Sequence, residues 1–121
     1  MLSQEKIEEI LKGGCFGGWI TAFWQDIVYA LPNFSFPEHK EAFFWLLEKL
    51  LREGKVAFSP PSDPLCKKGR RWDAPVEEII EYLRKSWPET AKDENDSDLN
   101  LYFYTIPSIA WLGEDGEWHG S

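Results

Sequence analysis

Apolar positions recur at helical spacing in four stretches of the chain. Ile7, Ile10 and Leu11 form a stripe behind Ser3, a capping residue, with Leu2 and Ile7 placed as a hydrophobic staple. Glu5, Glu8 and Glu9 face water and suit the positive helix start. Ile20, Phe23, Trp24, Ile27, Val28 and Leu31 predict a second helix from about Trp19 to Leu31, stopped by Pro32. Its one charge is Asp26, so this helix is expected to be the most buried. Ser35-Phe36-Pro37-Glu38 has capping-box spacing and opens a third helix. Phe43, Leu46, Leu47, Leu50 and Leu51 give it a broad apolar face to about Glu53, with Gly54 as the residue that ends it. Val76, Ile79, Ile80, Leu83 and Trp87 define a fourth helix, expected to be capped by Asp73 and ended by Pro88.

Elsewhere the period shortens to two. Lys55–Phe58 predicts a short strand. Leu101, Phe103 and Thr105 alternate with Tyr102, Tyr104 and Ile106, which predicts a strand over 99–106. Ser108–Leu112 predicts another, followed by the turn Gly113-Glu114-Asp115-Gly116 and a short return at Glu117–His119. The expectation is one α+β domain over 1–121: about four helices packed with a small antiparallel sheet built mainly from C-terminal strands. The strand at 55–58 is free to join the C-terminal hairpin.

Composition fits this picture. The 121 residues are 43% hydrophobic and 28% charged, near the globular average. No apolar run approaches the ~18 residues of a membrane span, and the N-terminus lacks the apolar core of a signal peptide. Two cysteines without a CxxC pattern fit free thiols in a reducing, cytoplasmic compartment.

Charge changes the picture more. The net charge is −8. Residues 1–88 hold 12 basic and 13 acidic side chains, whereas 89–121 hold eight acidic side chains and one basic, Lys92. Such a balance opposes general nucleic-acid binding, which needs Lys and Arg to neutralise phosphates. The acids Asp93, Glu94, Asp96 and Asp98, then Glu114, Asp115 and Glu117, lie in one segment with Trp111, Trp118, Tyr102 and Tyr104. Carboxylates beside aromatics suit a protein interface, since charge steers encounter and aromatics anchor it. Solubility explains such acids equally well, and core packing must claim about half of the aromatics.

Catalytic signals are weak. The run Gly13–Gly18 precedes a helix but lacks the lysine and hydroxyl of a phosphate-binding loop, so it reads as a turn. Cys15 has no paired histidine, and Cys15, His39, Cys66 and His119 have no zinc-site spacing. Asp26 is the one carboxylate in an apolar setting. No metal or cofactor is expected. The loop with Lys67, Lys68, Arg70 and Arg71 beside Trp72 is short, and it suits pairing with the chain's own acids or an acidic partner.

The runs AFFWLLEKLLREGKVAF (42–58), EEIIEYLRKSWP (77–88) and YFYTIPSIAWLGEDGEWHG (102–120) together resemble small acidic bacterial immunity proteins. These accompany contact-dependent and other polymorphic toxins. The resemblance implies a cytoplasmic, non-enzymatic protein that binds one cognate toxin domain and blocks its active site. It carries over no catalytic residue. The anchor set expected on charge and aromaticity is Asp93, Glu94, Asp96, Asp98, Glu114, Asp115, Glu117 and Trp118, facing a basic toxin such as a nuclease. A winged-helix-like DNA-binding regulator, using the basic loop at 67–71, and a small enzyme using Asp26 or His119 are the alternatives.

Overall fold

The computed structural model describes residues 1–120. In chain order the elements are α1 (Gln4–Leu11), α2 (Ile20–Ala30), α3 (Phe36–Arg52), β1 (Val56–Phe58), α4 (Val76–Lys85), α5 (Ser97–Thr105), β2 (Ile109–Leu112) and β3 (Trp118–Gly120). The class is α+β, with five helices where the spacing predicted about four.

Local chemistry accounts for most boundaries. The Ser3 hydroxyl accepts from the Lys6 amide at 3.1 Å and caps α1. At α3 both arms of the capping box form: Ser35 Oγ accepts from the Glu38 amide, and Glu38 Oε1 accepts from the Ser35 amide. The other end of α3 closes on Gly54, whose φ of +71° is left-handed. There the Lys55 amide donates to Leu50 O and the Gly54 amide to Leu51 O, which satisfies two carbonyls left over by the helix.

Two expectations need correction. Asp73 does not cap α4: Pro75 occupies that position, with no side-chain capping bond. The Glu78 and Ile79 amides both donate to the Pro75 carbonyl, so α4 starts from the proline's own backbone. The larger correction is at 99–106, which is the helix α5 rather than a strand. Leu99, Tyr102, Phe103 and Ile106 are all buried and stand at i, i+3, i+4 and i+7. Asp96 caps this helix by accepting from the Asp98 amide at 2.8 Å. The buried helical stripe outweighs the β preference of the aromatics.

The sheet has order β1-β2-β3, antiparallel throughout. Val56 pairs with Trp111 and Phe58 with Ile109, and these four side chains face the helices. Ala57, Ala110 and Gly120 form a row on the opposite face. The 59–72 loop is tied to the sheet by Pro64 O, which accepts from the Ser108 amide and from the hydroxyls of Ser59 and Ser108, each at 2.9 Å. The Trp72 amide donates to Phe58 O at 2.7 Å along the free side of β1.

Aromatic packing fills the core. The Trp24 ring lies 5.7 Å from each of Phe43, Trp87 and Phe103. Three buried aromatic polar tips find carbonyls: Trp24 Nε1 donates to Glu94 O, Trp111 Nε1 to Gly18 O, and Tyr102 Oη to Leu83 O. Among the described residues no helix is long and apolar enough to cross a membrane.

Candidate functional site

The acids of the 89–98 connector are partly engaged in building the connector itself. Asp93 Oδ1 accepts from the Asn95 amide at 2.9 Å, and Asp98 Oδ2 from the Thr90 hydroxyl at 2.7 Å. Asp96 Oδ2 also takes the Lys92 amide at 3.0 Å. Amide donation, first from Asp98 and then from Lys92, holds the Asp96 carboxyl below the usual carboxylate range. Glu94 turns inward, with Oε2 2.6 Å from Nδ1 of the buried His39. The other ring nitrogen of His39 donates to Leu31 O at 2.7 Å. His39 thus ties the connector to the turn before α3, and Glu94 is largely withdrawn from solvent. Asp93 and Asp98 keep exposed carboxylates, while Asp96 is half-buried.

The acids of the final turn form a second group. Glu114, Asp115 and Glu117 are all exposed. Asp115 accepts from the Glu117 amide at 2.9 Å and meets His119 Nε2 at 3.2 Å. The amide first, and then His119, lower its pKa. The Arg71 guanidinium lies 3.9 Å over the half-buried Trp118 ring. One residue of the basic loop is therefore spent on the chain's own hairpin.

The two acidic groups do not converge. Glu94 and Asn95 border Trp24, Val28 and Tyr29, in the C-terminal half of α2. The hairpin instead meets the start of α2, where His119 approaches Gly17 and packs on Phe16 at 5.5 Å. The predicted anchors thus occupy opposite ends of α2. Of the four aromatics in the segment, Trp111 and Tyr102 are buried, Trp118 is half-buried and Tyr104 is exposed.

Between the two groups lies a feature that charge and composition did not mark. The α5 side chains Leu101 and Tyr104 are 63% and 60% exposed. The Tyr104 ring meets Trp19 edge-on at 5.4 Å, and Trp19 is itself half exposed. A groove of about 290 Å³ opens beside them, walled by Pro64, Leu65, Phe103 and Pro107. A helical reading of 97–105 finds the pair, because Leu101 and Tyr104 are three residues apart.

The catalytic candidates have ordinary surroundings. The Cys15 thiol is fully buried and faces Ile10 O at 3.8 Å. Burial, then the negative Asp26 beside it, push its pKa up to about 12, so it is a protonated thiol and a poor nucleophile at neutral pH. Asp26 packs against the backbone of Gly13, where a Cβ would come within 2.8 Å of its Cγ. Its Oδ2 is buried without a hydrogen-bond partner. Cys66 is exposed and free. Among the described residues no His, Cys, Asp and Glu cluster can hold a metal ion.

The fold has a counterpart among solved structures. An uncharacterised protein conserved in bacteria, from Neisseria meningitidis, is similar over 95% of this chain and 86% of its own length, at 25% identity and a TM-score of 0.70. No protein-family model matches the chain, and no curated protein does. This is therefore a small α+β domain whose arrangement a conserved bacterial protein shares.

Proposed function

We propose that the protein is a non-enzymatic binding protein, and specifically an immunity protein that covers the active site of a basic toxin domain such as a nuclease. The observation carrying this reading is the charge asymmetry: seven of the eight net negative charges fall in residues 89–121. Six of those acids, Glu89, Asp93, Asp98, Glu114, Asp115 and Glu117, remain exposed after folding. A field of this sign steers a positive partner toward the acidic groups at the two ends of α2. The exposed aromatics beside it offer anchoring area. The outer face of α5 carries Asp98 and neither Lys nor Arg, so it offers phosphates no counter-charge.

The test is a titration against the toxin-like domain encoded beside this chain. Charge reversal of Asp93, Asp98 and Glu114 together is expected to slow association by about tenfold or more at low salt, with a smaller effect at high salt. Unchanged kinetics would remove these acids from the interface. A domain that neither binds the chain nor is inhibited by it would remove the immunity reading.

A further inference from the structure

The exposed apolar strip begins one turn beyond the connector acids, on the outer face of α5. Its residues come from three separate parts of the chain. Leu101 and Tyr104 come from α5, Trp19 from the residue before α2, and Leu65 from the loop held to the sheet through Pro64 O. Nothing within the described chain covers it: Leu101, Tyr104, Trp19 and Leu65 are each at least half exposed. The cavity lined by Trp19, Leu65 and Tyr104, with Leu101 on the helix face beyond it, is large enough for one leucine- or phenylalanine-sized side chain. Two or three large apolar side chains around a pocket make the usual centre of a protein interface.

The charge at the α5 end of the strip selects what lies over that end, while Lys67, Lys68 and Arg70 follow Leu65 at the opposite wall. Asp98 stands one turn before Leu101 on the same helix, so both project from one face. Asp93 and the half-buried Asp96 lie just before it, and Lys92 is the one positive side chain in residues 89–120. Two copies of this chain, each at −8, repel one another at this end.

Building on the binding reading above, we propose that the strip Leu101–Tyr104–Trp19 and its groove receive an amphipathic segment of a partner protein. The segment inserts an apolar side chain between Tyr104 and Leu65 and carries lysine or arginine over Asp98. Affinity then resides mainly in the apolar strip, and the acids set the approach rate.

The probe is a labelled helical peptide of about 16 residues, with leucines along one face and lysines on the other. Two control peptides replace the lysines by glutamate or the leucines by serine. Fluorescence anisotropy on the full chain is expected to show binding of the leucine–lysine peptide and at least tenfold weaker binding of both controls. The double variant Leu101→Ser with Tyr104→Ser is expected to lose tenfold or more while keeping the wild-type circular dichroism spectrum, since both side chains are exposed. Equal binding to the variant, equal binding of the serine peptide, or no binding of the leucine–lysine peptide overturns the proposal. So does a wild-type dimer in sedimentation that the double variant abolishes, because the occupant would then be a second copy. A toxin domain that binds wild type and variant alike overturns the strip and leaves the binding reading intact. Peptide binding without any toxin binding does the reverse.

Discussion

Cys15 and Cys66 are chemically unlike because of where the backbone leaves them. Cys66 reaches solvent on the basic loop, whereas Cys15 is sealed under the Gly-rich turn beside Asp26. A thiol-specific reagent at neutral pH is expected to label one cysteine in the native protein and two in denaturant; two rapid native labels would contradict the burial. The same burial has a pH signature. The Cys15 pKa is raised from 9.0 to about 12, so the unfolded chain loses this proton first. The stabilisation is complete below pH 9 and is lost as pH climbs toward about 12. Cys15→Ala is expected to flatten that alkaline loss in denaturant titrations. The buried Tyr102 phenol, raised by burial in the same direction, keeps a residual slope in the variant.

At the scale of elements, α5 separates what the chain announces from what it hides. The helix α3 was plain from its capping box, its apolar face and Gly54. For 99–106 both periods fit, because nearly every position is apolar or aromatic. Alternation and a helical stripe are then equally available, and the deciding signal was Asp96. That residue looked like one more acid in a polar connector, yet it works as the helix cap. The site suffered from the same ambiguity. With a strand at 99–106, Tyr102 and Tyr104 share a face; in the helix Tyr102 enters the core and Tyr104 pairs with Leu101 outside. Truncation distinguishes the two geometries. Leu99→Ala, at a fully buried position, is expected to cost about 2–5 kcal/mol in urea unfolding. Leu101→Ala is expected to stay within about 0.5 kcal/mol. A strand would put both leucines on one face and make their costs similar.

At the scale of the whole molecule, the sequence located the charge but not its division. Folding places the connector acids at one end of α2 and the hairpin acids at the other. The two groups are spent differently: Glu94 and Asp96 hold the connector together, whereas Glu114, Asp115 and Glu117 stay in solvent. Reversing each group separately therefore measures the partner's orientation. If it lies across the α5 end, Asp93→Lys with Asp98→Lys is expected to slow association several-fold more than Glu114→Lys with Glu117→Lys, as stopped-flow mixing at low salt would show. Equal effects would instead describe a partner spanning the whole of α2. The two losses should add, since the groups share no hydrogen-bond partners.

The loop between β1 and α4 guards the sheet as well as walling the groove. Its Trp72 amide takes up the Phe58 carbonyl at the open side of β1, and its Arg71 sits over Trp118 near the other margin. An uncovered β1 would present unpaired backbone to any neighbouring chain, and β3, at three residues, is too short to template a strand by itself. The loop thus lets a chain rich in aromatics keep a small sheet without polymerising through its margins. Clipping that loop should make the fold fibre-prone.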